Sequence, residues 1–177
     1  MKVSAIRATP PEDASPRARG VFALLDALAV PYRCVSHEPA ETMELCAAIS
    51  DALGARICKN LFLCNRQQTV FYLLAMPEDK PFYTKDLSKQ IGSSRLSFAP
   101  PEKMEALLGC SPGSCSVLGL MNDAEKRVRL LLDRDVAEAE RFACHPCDNT
   151  MSLTVPTRAL LEKILPRTGH SYDVVEL

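Results

Sequence analysis

The sequence predicts a single domain of mixed α+β class, in which a mixed, mostly antiparallel sheet is flanked by helices. A chain of 177 residues has the length of one domain and is long enough to bury an ordinary core. Apolar runs of strand length, Leu61–Cys64 and Val70–Met76, stand among stretches of helical periodicity. Residues 65–68 separate these two runs by a polar loop of hairpin length, which favours antiparallel pairing.

The first segment, residues 1–15, has no hydrophobic periodicity and contains adjacent prolines. We therefore expect a flexible N-terminal arm ahead of a domain that spans residues 16–177. Apolar residues recur at helical spacing after Pro16 and stop at Pro31, which predicts the first helix.

The second predicted helix begins at Thr42, a candidate N-cap, and ends at Gly54, a candidate C-terminal cap. The organising strand follows at residues 57–63, and Pro77 closes its hairpin partner. The other predicted elements are strands near residues 32–35, 95–98, 128–132 and 152–155, helices near residues 85–92, 102–108 and 135–141, a last helix capped by Thr157, and an edge strand at Val174 and Val175.

Composition excludes some classes of function. The net charge is −1, so a nucleic-acid partner would have to be bound through a local basic patch. The sequence has no apolar run of membrane-spanning length and no signal-peptide core at its start, which predicts a cytoplasmic protein without a membrane partner.

The eight cysteines are expected to be reduced thiols that pack as small apolar side chains. Cys144 and Cys147 have a spacing that also occurs in zinc and redox sites. Cys110 and Cys115 are poorly spaced to supply the remaining zinc ligands. We expect no cofactor and no metal, and zinc or redox chemistry at Cys144 and Cys147 stays as an alternative.

Three small polar loops lie beside predicted strand ends, where sites are commonly built. The first is Lys59-Asn60, where the lysine either reaches the surface or presents its ammonium to a ligand. The second, Gly113–Ser116, can expose backbone N–H groups to a ligand. The third, His145–Thr150, carries a histidine that titrates near neutrality. Each loop can also be purely structural.

The motifs of these loops occur in a characteristic order. They are Lys59-Asn60-Leu61-Phe62-Leu63, residues 95–99, the glycine- and serine-rich residues 113–123, and His145-Pro146-x-x-Asn149. In this order they resemble the YbaK and prolyl-tRNA synthetase-associated domain family, and among its branches the free-standing deacylases called ProXp-ala or PrdX.

The resemblance implies hydrolysis of the ester that joins a wrong amino acid to tRNA(Pro), with alanine as the expected amino acid. A synthetase pocket sized for proline discriminates poorly against smaller amino acids, because a missing methylene is worth only about 1–3 kcal/mol. A second site then corrects the error. Attack by water, assisted by the ribose hydroxyl and without a metal, is implied as well. Alternatives are a YbaK-type deacylase for cysteine and a catalytically silent module that binds tRNA or a synthetase.

The resemblance also assigns residues. Lys59 would hold and polarise the ester or the ribose, Asn60 would orient the substrate, Gly113 and Ser114 would supply backbone donors, and His145 would line the pocket. Val117 and Leu118 stand where many members have proline and phenylalanine. The identity of the amino acid that is removed from the tRNA therefore stays open. The expected substrate-binding residues are Thr42, Met43, Ser116, Val117, Gly119 and Asn149.

The expected partner is tRNA(Pro) mischarged with a small amino acid, with prolyl-tRNA synthetase as a possible second partner. Cationic side chains cluster in sequence near the candidate site and could bind tRNA, although they could equally form a solvated helix face. They are Lys80, Lys85, Lys89 and Arg95.

Overall fold

The computed structural model describes residues 3–177, which form two β-sheets surrounded by helices. One sheet has five strands in the order β4-β2-β3-β5-β8, and the other has three in the order β1-β7-β6. The strands are β1 (Arg33–Ser36), β2 (Cys58–Cys64), β3 (Phe71–Pro77), β4 (Ser97–Phe98), β5 (Val128–Asp133), β6 (Arg141–Cys144), β7 (Met151–Pro156) and β8 (Tyr172–Val175). The helices are α1 (Pro16–Ala27), α2 (Met43–Leu53), α3 (Thr84–Gln90), α4 (Pro101–Leu108), a 3-10 helix (Val117–Asn122), α5 (Arg134–Glu138), α6 (Thr157–Ala159), a π-helical turn (Leu160–Ile164) and α7 (Leu165–Thr168).

The predicted β2–β3 hairpin is confirmed. Its turn is held by Asn65, whose side-chain oxygen accepts the N–H groups of Thr69 at 2.8 Å and Val70 at 3.1 Å. The two strands are antiparallel, and the register places Lys59 opposite Met76. This pairing leaves the first residues of β2 beside the last residues of β3, at one end of the hairpin.

Residues 3–7, part of the segment for which the sequence predicts a flexible arm, lie along β1. The N–H of Ser4 donates to the carbonyl of Ser36 at 2.8 Å. Arg7 and Cys34 exchange two backbone hydrogen bonds, at 3.0 and 2.8 Å. These bonds pair residues before α1 with the strand β1, which would otherwise form an edge of the three-stranded sheet.

The two sheets meet through a parallel bridge between Ile57 and Ala143. The bridge joins the residue before β2 to the strand β6, so the start of β2 lies next to the end of β6. The main core lies between the sheets and α1, and the stacked rings of Phe62 and Phe71, 5.7 Å apart, are part of it. This junction positions the candidate site.

The predicted mixed α+β class is confirmed, while three details differ. The helix predicted near residues 135–141 ends at Glu138, and the chain from Arg141 to Cys144 forms the unpredicted strand β6. The predicted single sheet is divided into two, because the ladders of β1, β6 and β7 join these three strands to one another and reach the larger sheet only through the isolated Ile57–Ala143 bridge. Thr157 was expected to cap the last helix, but the N-cap is Pro156. The N–H of Thr157 donates instead to the carbonyl of Glu140 at 3.0 Å, which ties the helix start to the chain just before β6. Within residues 3–177, no helix is both long and apolar enough to cross a bilayer.

Candidate active site

A small cleft opens where the two sheets meet. Its volume is about 210 Å³, below the roughly 300–1,000 Å³ of pockets for drug-sized ligands. Each of the three loops singled out in the sequence contributes to its wall. The residues that line it are Cys46, Ile57, Cys58, Lys59, Asn60, Glu78, Gly113, Cys115 and His145.

Lys59 is exposed at the mouth of this cleft, at the second position of β2. Its ammonium makes no ion pair with any carboxylate of residues 3–177. A cation held at a strand end without a protein counter-ion remains available to an anionic or carbonyl oxygen of a ligand.

Asn60 connects β2 to the glycine- and serine-rich loop. Its amide nitrogen donates to the carbonyl of Cys58 at 3.0 Å, and its side-chain oxygen accepts the N–H of Val117 at 3.1 Å. Both ends of the amide are therefore used within the protein. In this structure Asn60 positions the loop, and a ligand meets it mainly as part of the wall.

The glycine- and serine-rich loop contributes Gly113 and Cys115 to the cleft wall. Gly113 has φ +89°, a conformation that suits glycine, and Cys115 follows two residues later. Among the described residues, no acceptor takes the N–H of Gly113 or Cys115. Ser114 does not line the cleft, because its hydroxyl bonds to the N–H and carbonyl of Ser111 and stabilises the turn.

His145 stands at the end of a chain of hydrogen bonds. Its Nδ1 lies 2.7 Å from the carbonyl of Met151, so Nδ1 carries the proton and Nε2 keeps its lone pair. The hydroxyl of Ser152 lies 3.1 Å from the same Nδ1 and 2.8 Å from Nε2 of His37. His37 in turn donates from Nδ1 to the carbonyl of Glu38 at 2.6 Å.

Burial lowers the pKa of both imidazoles below the ordinary histidine value of 6.5. For His145 the neighbouring His37 lowers the pKa further, whereas the hydrogen bond to Met151 and the charge of Asp148 oppose the shift. The ring that lines the cleft is accordingly neutral at physiological pH, with an unprotonated Nε2 that can accept a hydrogen bond.

The six predicted substrate-binding residues lie outside the cleft wall, and three of them support its frame. Thr42 caps α2 by accepting the N–H of Leu45 at 3.2 Å, and Ser116 caps the 3-10 helix by accepting the N–H of Leu118 at 3.1 Å. Gly119 allows that helix to approach α4, since a Cβ there would lie 2.7 Å from a backbone oxygen. The remaining three are Met43, which is 66% exposed, Val117, which is buried, and Asn149, whose amide packs against Gly113.

The predicted basic patch separates into two groups. Lys85, Lys89 and Arg95 are exposed on α3 and the segment after it. Lys80 instead forms ion pairs with Asp133 at 2.9 Å and Asp135 at 2.8 Å. The structure therefore keeps three of the four cations available on one segment and uses the fourth internally.

A larger groove of about 520 Å³ lies on the other side of Ile57 and Cys58. Cations on its wall include Arg56, which pairs with Asp79 at 2.6 Å, and Lys80. These two charges are balanced internally, whereas Arg141, also on the wall, makes no ion pair among residues 3–177. The groove differs from the smaller cleft because neither His145 nor the Gly113 loop lines it.

The cysteines are free thiols, and Cys144 is completely buried. Desolvation raises the pKa of Cys144 to about 12, which makes it a poor thiolate. Among residues 3–177, no three His, Cys, Asp or Glu side chains are arranged to hold a metal ion. The alternative of zinc or redox chemistry at Cys144 and Cys147 receives no support from this arrangement.

Sequence reasoning missed five residues of the site and its support. Cys46 and Glu78 stand in helix and strand-end segments without any motif, and Cys115 and Ser152 occur among other small residues. The hairpin register contained a usable signal for one of them. Since Cys58 pairs with Pro77, Glu78 follows directly beside the start of β2. The fifth is His37.

The fold and the cleft together define a class of small, single-domain α+β proteins whose cleft is lined by a lysine, a glycine loop and a neutral histidine. Comparisons with known proteins narrow this class. Residues 37–163 match the family model of the aminoacyl-tRNA editing domain. The prolyl-tRNA editing protein ProX of Acetoanaerobium sticklandii is 31% identical over 159 residues, which are 90% of this chain and 96% of that protein.

Two further comparisons agree. The prolyl-tRNA synthetase associated domain-containing protein 1 of Danio rerio is 28% identical over 149 residues, 83% of this chain and 80% of the relative. A solved structure described as a candidate trans-editing enzyme for prolyl tRNA synthetase has a TM-score of 0.66 at 19% identity and shares the fold over 93% of this chain and 99% of its own. The chain belongs to the aminoacyl-tRNA editing domain family. The predicted family and the predicted enzyme class, an aminoacyl-tRNA deacylase, are thereby confirmed.

Proposed function

We propose that this deacylase acts in trans on tRNA(Pro) and hydrolyses the ester of a small, wrongly attached amino acid, in the first place alanine. The observation that carries the proposal is the cleft of about 210 Å³ that brings Lys59, the Gly113 loop and His145 together. The similarity to a prolyl-tRNA editing protein supports the choice of tRNA. A cytoplasmic location and an association with prolyl-tRNA synthetase stay predictions.

The chemistry follows from the groups on the cleft wall. The N–H groups of Gly113 and Cys115 would donate to the ester carbonyl oxygen, where negative charge develops as water attacks. The Lys59 ammonium would hold the ester or the terminal ribose beside them. The unprotonated Nε2 of His145 would accept a hydrogen bond from the attacking water or the ribose hydroxyl.

Binding of the tRNA would use the segment from residue 82 to residue 98. Lys85, Lys89 and Arg95 are exposed there, and two aromatic side chains, Tyr83 and Phe98, are 64% and 62% exposed. Cations that contact phosphates, together with aromatic faces that stack on bases, are the usual means of binding an unpaired RNA end.

The test is deacylation of tRNA(Pro) charged with alanine, cysteine, serine or proline. We expect release of alanine and retention of proline, and we expect Lys59→Ala to lower kcat/KM for alanine at least about 100-fold, as removal of a charge-stabilising group does. Lys163→Ala, on an exposed lysine outside the cleft, is the matched control and should retain the parent rate.

Each other outcome decides between alternatives. Faster release of cysteine than of alanine would show that cysteine, and not alanine, is the amino acid that the enzyme removes. Equal rates for Lys59→Ala and the parent would refute the site assignment. No release from any of the four esters would refute the deacylase proposal for tRNA(Pro) and favour a module that only binds tRNA.

A further inference from the structure

Glu78 places a carboxylate in the cleft, and the mechanism proposed above does not use it. The residue directly follows β3, and the hairpin register puts it two positions beyond Met76, the partner of Lys59. It lines the same cleft as Lys59, Gly113 and His145. A cation and a carboxylate thus belong to one cavity of about 210 Å³.

This carboxylate has no ion-pair partner among residues 3–177, although the charge of Arg56 acts on it from a distance. No Lys, Arg or His side chain of residues 3–177 forms an ion pair with Glu78, whereas the adjacent Asp79 pairs with Arg56 and the next residue, Lys80, pairs with two aspartates. Cys46, whose thiol is a weak donor, lines the same cleft. A half-buried carboxylate in this position has acceptor capacity to spare.

The proposed substrate has a group that fits. An aminoacyl ester presents three features within a few ångströms: the carbonyl, the side chain and a free α-amino group that is a cation when protonated. The backbone donors and Lys59 suit the oxygen atoms, but neither can accept a hydrogen bond from an ammonium. Among the charged residues on the cleft wall, only Glu78 can do so.

We propose that Glu78 forms the subsite for the α-ammonium of the aminoacyl group. The proposal rests on the proposed function and deepens it, because it predicts that the enzyme recognises esters of free amino acids and discriminates against esters that lack the amine. A charge-assisted hydrogen bond of this kind anchors the substrate with its carbonyl toward the loop.

The experiment compares two esters of tRNA(Pro) that differ only at the α-position. One is alanyl-tRNA(Pro), and the other is its 2-hydroxypropanoyl analogue, in which a hydroxyl of similar size replaces the ammonium. We expect the parent enzyme to prefer the alanyl ester by about 10- to 100-fold in kcat/KM, the range of one hydrogen bond to a charged group. In Glu78→Gln this preference should fall to near unity, because kcat/KM should fall for the alanyl ester and stay unchanged for the analogue.

Controls separate this role from others. Glu78→Asp retains the charge and should restore part of the preference, and Glu125→Gln, at an exposed position outside the cleft, should leave it unchanged. Equal losses on both esters in Glu78→Gln would overturn the proposal and indicate a general base instead. An unchanged preference in a folded Glu78→Gln, checked by thermal unfolding, would overturn it too. Hydrolysis of the alanyl ester by the parent tests the deacylase separately, so failure of either proposal is distinguishable.

Discussion

His145 is the side chain of the cleft whose chemistry is most narrowly defined by its neighbours. Its Nδ1 is committed to the carbonyl of Met151, and Ser152 connects the same nitrogen to His37. The arrangement leaves one unprotonated nitrogen beside the cleft, which is the form that a hydrogen-bond acceptor in ester hydrolysis requires.

The first residue-scale prediction concerns pH. Because burial lowers the pKa of His145 from the ordinary value of 6.5, the decline of kcat on acidification, caused by protonation of Nε2, should have its midpoint below pH 6.5. The measurement is kcat for alanyl-tRNA(Pro) between about pH 4.5 and about pH 8, corrected for the uncatalysed hydrolysis of the ester. A decline centred above pH 6.5 would contradict the neutral-histidine role.

The same shift has a consequence for stability. The unfolded chain binds protons at His145 and His37 at a higher pH than the folded chain does, because both folded pKa values are lowered. Their contribution to the free energy of unfolding is therefore complete above 6.5 and is lost as pH falls through the folded pKa values. Acid destabilisation and loss of activity should occur in the same range.

At the scale of elements, the cleft depends on how the 3-10 helix packs on α4. A Cβ at Gly119 would lie 2.7 Å from the carbonyl oxygen of Leu108 and 3.1 Å from the Cys110 sulfur. The 3-10 helix also begins at Val117, whose N–H is held by Asn60. Close packing at Gly119 therefore determines where the loop with the backbone donors lies.

Gly119→Ala should lower the free energy of unfolding by about 1–3 kcal/mol, since the backbone of α4 cannot move away without repacking. Gly20→Ala is the matched control, because a Cβ there meets only Met121 at 3.8 Å and the position is inside α1. That change should stabilise the protein by about 0.4–1 kcal/mol. Urea unfolding of both variants measures the difference, and equal effects would contradict the packing argument.

At the scale of the whole molecule, charge is divided between stability and ligand binding. Asp133 is fully buried, and its two carboxylate oxygens accept hydrogen bonds from the Lys80 ammonium at 2.9 and 3.0 Å. The same carboxylate accepts the backbone N–H groups of Asp135 and Leu177. This cluster joins the end of β5 to the C-terminus and to the segment after β3. Lys85, Lys89 and Arg95 make no ion pair among residues 3–177.

Two alanine variants should respond oppositely. Lys80→Ala leaves a buried carboxylate without its cation and should cost about 1.5–3 kcal/mol of unfolding free energy. Lys89→Ala should change that free energy by less than about 0.5 kcal/mol but weaken tRNA(Pro) binding and reduce its salt dependence. Urea unfolding and tRNA titrations at two salt concentrations test both. If Lys80→Ala bound tRNA more weakly and lost no stability, the assignment of Lys80 to stability would be contradicted.

Local patterns in the sequence were sufficient for the fold class, for most elements and for the three loops of the site. Thr42 and Gly54 bound α2, Gly109 ends α4, and the loop at Asn65 joins β2 to β3, as predicted. These features depend on helical and strand periodicity and on turn chemistry within a few residues, which a sequence displays directly.

Only the tertiary structure decided which side chains meet. The bridge between Ile57 and Ala143 brings Lys59 to His145, the hairpin register adds Glu78, and the buried Asp133 takes Lys80 out of the basic patch. Each contact joins segments that are distant in sequence or depends on which face of a strand is covered. Local patterns specify the period of an element but not its partner, so the sequence determined the parts of this enzyme and sheet packing determined the site they form.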